Sequence, residues 1–247
     1  MRRRHNSPTH QPTTSPIVFG AFGDIHGDFA HARRAIERHP DVRFWVSVGD
    51  IATDTGAYEP LGAPVYWIHG NNDNFDALAS GAVPADFHYI ANGTAIDVGR
   101  VFRPGFTLRI AGLGGTFAPT WYETPASDLP HPKKGSARAT ELADKRRHFV
   151  RDEVNACKRL RGVDVFLTHE AAKPFRPIPG GRGPDAGKEA INEVLREMKP
   201  RLHLFGHHHR FSTQRREGVE SIGLDLVSRS YLTIDAGSLK YVCHANA

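Results

Sequence analysis

Seven short apolar runs, each ending in a polar cluster, set the tightest limit on how this 247-residue chain can fold. They are Ile17 to Phe22, Phe44 to Val48, Val65 to Ile68, Leu108 to Leu113, Val163 to Leu167, Leu202 to Phe205 and Tyr231 to Ile234. Runs of this length, bounded by Gly, Asp, Asn and His, read as core strands. Helical spacing falls between some of them. Ala190, Ile191, Val194, Leu195 and Met198 form a 3,4 pattern stopped by Pro200. Leu142, Phe149, Val154, Cys157 and Leu160 form a second, and Phe29, Ala32 and Ile36 a third. Strands alternating with helices predict an α/β chain of sheets layered against helices. The Gly- and Pro-rich stretch from Glu170 to Lys188 reads as a long loop.

A chain of this length buries roughly three quarters of its unfolded surface, so its core needs no disulfide or metal staple. Any metal site is then free to serve chemistry. The two cysteines, Cys157 and Cys243, are far apart; that removes zinc fingers, iron–sulfur clusters and disulfide scaffolds and points to a reducing compartment. No run approaches the roughly 18 apolar residues of a membrane span, so no membrane association is expected. Arg2 to Arg4 lead into a polar stretch without an apolar signal-peptide core, which predicts a cytoplasmic protein. Residues 1–16 read as a flexible tail and 17–247 as the folded domain. Neither a Gly-x-Ser-x-Gly elbow nor a Gly-x4-Gly-Lys-Ser/Thr loop occurs, which leaves serine hydrolases and nucleotide switches without support.

Chemistry gathers where the strands end. Gly23-Asp24-Ile25-His26-Gly27-Asp28 follows the first, Gly49-Asp50 the second and His69-Gly70-Asn71-Asn72-Asp73 the third. Thr168-His169-Glu170 and Gly206-His207-His208-His209 follow two later ones. Loops at strand C-termini are where sheet-based enzymes assemble sites. Asp, His and Asn together suit Mn, Fe or Zn better than an oxygen-only calcium site. Two ions about 3.5 to 4 Å apart need six or seven such ligands with one carboxylate between them. Taken singly, Asp-x-His is usually a turn, Gly-Asp a turn dipeptide and a lone His a hydrogen-bonded core residue. Five such coincidences in this order are far less plausible.

The ordered set Asp24-x-His26, Gly49-Asp50, Gly70-Asn71-Asn72-Asp73, His169 and Gly206-His207-x-His209 resembles the calcineurin-like metallophosphoesterase family across residues 24 to 209. The resemblance implies a two-sheet β-sandwich flanked by helices. It also implies a dinuclear centre, with manganese favoured over iron or zinc. Asp24, His26 and His209 would hold one ion, Asn71, His169 and His207 the other, and Asp50 would bridge the pair. The implied reaction is attack on a phosphoester by metal-activated hydroxide. Where this family usually carries a His between the Asn ligand and the acid, this chain has Asn72. An amide can donate a hydrogen bond to phosphate but has no proton to give as a general acid, so Asn72 is expected to act only as a donor. Neighbouring His69 and His208 are the other candidates for the missing acid.

Gly49-Asp50-Ile51-Ala52-Thr53-Asp54 lacks the Asp-Arg-Gly continuation of protein Ser/Thr phosphatases. The stretch Leu108 to Gly115, a basic segment and Asp164 to His169 are instead similar to the catalytic domain of RNA lariat debranching enzymes. That similarity implies a phosphodiesterase, although those enzymes commonly carry Cys at the position of Asp24 and His at that of Asn72. A phosphomonoesterase and a non-catalytic metal-binding interaction module on the same fold are the alternatives. The net charge is +5. Between His131 and Arg161 ten Lys or Arg face four acids, enough to account for the whole excess. Lys145, Arg146, Arg147 and Arg151 are therefore candidates for guiding a nucleotide or nucleic acid, against the blander reading of a solvated face. Trp121 and Tyr122 could stack on a base or pack on the sheet rim, and Gly180 to Gly183 could form a phosphate nest or a plain loop.

Overall fold

The apolar runs become strands because successive side chains along each run enter two different buried layers. A computed structural model describes residues 16–102, 104–131, 144–178 and 183–246. The chain runs β1 (Val18–Phe22), α1 (Phe29–Arg38), β2 (Val42–Ser47), β3 (Val65–Trp67), α2 (Phe75–Ser80), β4 (Phe87–Tyr89) and β5 (Ala95–Asp97). It continues through α3 (Gly99–Phe102), β6 (Arg109–Leu113), α4 (Arg151–Arg159), β7 (Val165–Thr168), α5 (Glu189–Met198) and β8 (Leu202–Phe205). It closes with β9 (Ser212–Arg216), β10 (Val219–Gly223), β11 (Ser230–Asp235) and β12 (Tyr241–Ala245). All seven anticipated strands and all three anticipated helical stretches have counterparts among these.

Two six-stranded sheets form, in the orders β12-β11-β1-β2-β3-β4 and β5-β6-β7-β8-β10-β9. Phe19, Ala21, Phe44 and Val46 of the first sheet pack against Ile110, Val165, Leu167, Leu202 and Leu204 of the second in one core. The alternate residues Phe22 and Trp45 face outward onto Phe29, Ala32 and Ala35 of α1. On the far side Ala111, Leu113 and Phe166 meet Val154 and Cys157 of α4 and Ile191, Val194 and Leu195 of α5. The result is the expected α/β sandwich, with helices outside two face-to-face sheets.

Parallel pairing positions the site. β1, β2 and β3 run parallel in one sheet, as do β6, β7 and β8 in the other. Strands running together end together, and the five polar clusters follow β1, β2, β3, β7 and β8.

Most differences from the sequence reading occur at the edges. The sequence does not anticipate β4, β5, β9 and β12, because three-residue strands and polar edge strands such as Ser212–Arg216 lack an apolar run, nor the inner strand β10, whose apolar residues are interrupted by Glu220, Ser221 and Gly223. The basic stretch is not one helix. Lys145–Arg147 form a single 3-10 turn, His148 bridges to Thr116, and α4 starts only at Arg151. Leu142, at the start of the expected pattern, lies outside the described residues, as do residues 1–15 of the expected tail and Gly180 to Arg182.

One close approach gives a test. A Cβ on Gly20 would sit 2.0 Å from Cε3 of fully buried Trp45, whose ring also stacks on Phe22 with centroids 4.3 Å apart. Gly20→Ala must displace that indole, and overpacking of this kind costs about 2 to 3 kcal/mol. Urea unfolding should show a lower midpoint with an unchanged slope.

Candidate metal centre

The strand ends carry unusual backbone. Among the described residues seven non-glycine positions have positive φ, and four of them are candidate ligands: His26 (47°), Asp50 (51°), His207 (67°) and His209 (46°). L-residues pay for that conformation, and it persists only where surrounding structure enforces it. Here the enforcement is visible. Ile25 and His26 donate backbone N–H groups to the Asp50 carbonyl at 3.0 and 2.7 Å, and Gly27 donates to Ile51 at 3.0 Å. The His207 N–H donates to both Asp24 oxygens at 3.0 and 3.2 Å. Gly206 and Gly70 must be glycine, since a Cβ would lie 2.3 Å from Asp24 Oδ1 and 2.1 Å from Asp50 Oδ1 respectively.

The loops bring lone-pair atoms together. His209 Nε2 is 3.0 Å from Asp24 Oδ2 and 3.2 Å from His26 Nε2. His169 Nε2 is 3.0 Å from Asn71 Oδ1. Between these groups lies Asp50, whose Oδ2 is 3.7 Å from His26 Nε2 and 3.5 Å from His169 Nε2. Asp24, His26 and His209 form one potential metal-holding group, and Asp24, Asp50 and His169 a second. Asp24 therefore borders both, whereas the sequence reading assigned it to one. The His207 ring packs on that of His169, with centroids 4.9 Å apart, but contributes to neither group.

Tautomer and charge fit a cation. His169 Nδ1 is 2.8 Å from the Val48 carbonyl; a carbonyl can only accept, so Nδ1 carries the proton and Nε2 faces the cluster. This bond also ties β7 of one sheet to β2 of the other. Burial works against the charge of His169, yet the Asp50 and Asp24 carboxylates outweigh it and push its pKa up to about 9. Burial likewise opposes the charge of Asp50, but His169 and the Asn72 donors hold that carboxyl well below its usual range. His207 is pushed down to about 4 by burial and by the His169 charge. Two carboxylates that are each 1% exposed demand positive charge between them, and the oxygen and imidazole donors suit a borderline divalent metal.

A cleft of about 480 Å³ opens beside the cluster, lined by His26, Thr53, Asn71, Asn72, Arg146 and Arg147 among others. The family model of calcineurin-like phosphoesterases matches residues 17–211, a span that contains every candidate ligand. The chain belongs to the calcineurin-like phosphoesterase family. Its class chemistry is thus phosphoester hydrolysis with divalent metal. Similar solved structures include the TT1561 protein of Thermus thermophilus, 14% identical with a TM-score of 0.63, over 94% of this chain and all of that one. Another is a Staphylococcus aureus protein inferred to be a 5'-nucleotidase, 15% identical with a TM-score of 0.51, over 94% of this chain and 53% of that one. At such identities the likeness shows the fold alone. No curated protein matches in sequence. Among the described residues no helix is long and apolar enough to cross a membrane.

Asn72 is already engaged. Its backbone N–H donates to Asp50 Oδ1 at 2.7 Å and its Nδ2 to Asp50 Oδ2 at 2.8 Å. One amide hydrogen is left for the cleft. The two histidines considered as acids sit elsewhere. His69 is buried, with Nδ1 2.7 Å from the Tyr89 hydroxyl, and His208 packs against Phe175. Burial pushes both down to about 3, and neither lines the cleft.

Three of the seven described basic residues of the segment are paired with carboxylates, and among the described residues Lys145, Arg147, Arg159 and Arg161 have none within 4.0 Å. Arg146 binds Asp144 and Asp76, Arg151 binds Glu123 and Lys158 binds Glu193; Lys133, Lys134 and Arg138 lie outside the described residues. Tyr122 is buried against Phe117 and Phe149, which is the rim-packing alternative rather than base stacking.

The residue that sequence reading passed over is Asp73. Its Oδ2 accepts the N–H groups of Asp50 and Gly70 at 2.9 and 2.7 Å, and its Oδ1 those of Ile51 and Ala52 at 3.0 and 3.1 Å. The signal was present as the acid closing Gly-Asn-Asn-Asp. Burial and the Asp50 charge push its pKa up while the N–H donors pull it back. In Asp73→Asn the amide NH2 must face two backbone donors in either orientation, so we expect a loss of about 3 kcal/mol. Calorimetric titration should also show weaker divalent-metal binding, because Asp50 loses its anchor.

Proposed function

We propose that this chain is a dinuclear metal-dependent phosphodiesterase. In this reading Asp24, His26 and His209 hold one divalent ion, Asn71, His169 and His207 the other, and Asp50 lies between them. The observation that carries it is the place of Asp50 Oδ2, 3.7 Å from His26 Nε2 and 3.5 Å from His169 Nε2, as a bridging carboxylate requires. Two such ions supply Lewis acidity to a phosphoryl oxygen and lower the pKa of a water toward neutrality. The protein's part is to fix the geometry beforehand. Val48 orients His169, Asp73 fixes the Asp50 loop, and Asn72 holds both oxygens of Asp50 while turning its second amide hydrogen toward a phosphate oxygen in the cleft. The diester preference is supported by the similarity of Leu108 to Gly115 and Asp164 to His169 to debranching enzymes. Manganese is the favoured metal, and a nucleotide or nucleic acid the candidate substrate class.

Protein stripped with chelator and reloaded with manganese should hydrolyse bis(p-nitrophenyl) phosphate faster than p-nitrophenyl phosphate, and chelation should abolish both activities. Asp50→Asn should fold and be inactive; retained activity after repurification would reject the bridging role. Since His26, the histidine that lines the cleft among the described residues, is taken up as a metal ligand in this reading, the rate should depend steeply on the leaving group. Replacing p-nitrophenol by phenol should cost about 100-fold or more. A flat dependence would reveal a general acid that this reading lacks.

A further inference from the structure

A basic groove lies along the edge strand beside the centre. The period of two along β9 places Ser212, Gln214 and Arg216 on one face, and their burial alternates with exposed Thr213 and Arg215. That face lines a groove of about 370 Å³ together with Arg176 and Arg210. Ser212 Oγ, Gln214 Nε2 and Arg216 Nε are all buried there without a hydrogen-bond partner from the protein. The three guanidiniums are held by neutral acceptors. Arg176 Nη1 donates to the Gly183 carbonyl, Arg210 Nη1 to the carbonyls of Arg176 and Pro177, and Arg216 Nη2 to the Pro174 carbonyl and Gln214 Oε1.

Among the described residues none of the three has a carboxylate within 4.0 Å, in contrast to Arg146, Arg151 and Arg196. Asp185 interacts with Arg176 and Arg216 only at longer range. Its Oδ1 is occupied by the Phe175 and Gly187 N–H groups. Water could satisfy the unpaired donors but would not offset the excess positive charge. Phosphate oxygens meet both needs, and arginine is the side chain best shaped for them. The groove adjoins the centre: Arg210 follows His209, and Phe175 lies between Phe205 and His208 with ring centroids 5.2 and 4.6 Å away.

We propose that Arg176, Arg210 and Arg216, with Ser212 and Gln214, form a phosphate-binding subsite that holds a second phosphate group of the substrate while the scissile one occupies the metal centre. The substrate role rests on the phosphodiesterase reading; the binding role does not.

Two measurements separate them. Titration calorimetry of inorganic pyrophosphate into chelator-treated protein reads the subsite, using Arg216→Gln, Arg216→Lys and Arg176→Gln, with Arg215→Gln as the control of equal charge loss on the opposite face of β9. Each of the two groove Gln variants should weaken binding about tenfold, the loss of one charge-assisted contact. Arg216→Lys should recover part of it, and Arg215→Gln should match the parent protein. Equal weakening by Arg215→Gln, or none in the groove variants, would overturn the subsite. The second measurement compares KM for a short oligonucleotide with KM for bis(p-nitrophenyl) phosphate. A rise in the first alone, with kcat unchanged, is expected. Weakened pyrophosphate binding without that rise would mean that the groove holds free phosphate and would overturn the substrate role. Absence of all hydrolysis alongside intact, variant-sensitive pyrophosphate binding would sink the phosphodiesterase reading and leave the subsite standing.

Discussion

The buried carboxylate of Asp73 is the interaction on which the site depends. Four backbone N–H groups, from two different loops, converge on its two oxygens. A loop that turns sharply at the end of a strand leaves N–H groups without ladder partners, and in a buried place each needs an acceptor. One ionised carboxylate serves all four and joins the loop after β2 to the loop after β3. The two loops then lie so close that only a glycine at position 70 clears Asp50. The Tyr58 hydroxyl adds a fifth contact to Asp73 at 3.3 Å and accepts from the Asn74 backbone at 2.9 Å, which extends the anchor to the start of α2.

With those loops fixed, strain elsewhere becomes sustainable. His26 and Asp50 hold positive φ where main-chain bonds join their two loops, and His207 where its N–H is held by both Asp24 oxygens. Conformations that cost on the order of 1 to 3 kcal/mol per residue are supported by the rigid double sheet behind them. The Val48–His169 bond has a similar part between the sheets, since it sets a ring nitrogen of one sheet against the carboxylate of the other. The centre is thus a property of the sandwich, assembled only where the C-terminal ends of both parallel sets meet.

Much of this was legible in the sequence. The seven apolar runs are sufficient for the core strands because strands buried on both faces, six of them parallel and β11 antiparallel, need continuous apolar residues. That the Asp, His and Asn of the polar clusters come together was legible because they follow parallel strands in a fixed order. The rest was hidden for physical reasons. Edge strands such as β9 and β12 bury little and so carry no hydrophobic signature. Asp73 reads as an ordinary turn acid until its four donors are seen, and nothing in the order of residues shows that Arg146 and Arg151 meet Asp76 and Glu123 across the fold. The sequence drew attention to basic residues by their density along the chain. The structure separates paired charge from unpaired charge, and one cluster without carboxylate partners, Arg176, Arg210 and Arg216, is spread over about forty residues.

The same distinction bears on Asn72. A histidine there could exchange a proton with a leaving oxygen, but it would also add a titratable charge next to Asp50 and His169. The amide gives up the proton and keeps the hydrogen bonds: two donors from one residue hold both oxygens of Asp50 regardless of pH. Burdened with two buried carboxylates, the site gains from a neutral neighbour whose orientation does not depend on protonation. In the proposed reading charge stabilisation would fall to the bound metals, while the side chain at position 72 fixes Asp50 and offers one amide hydrogen to the cleft. A substrate with a good leaving group, or one held at a second phosphate so that little reorganisation is needed, is the substrate such a site suits.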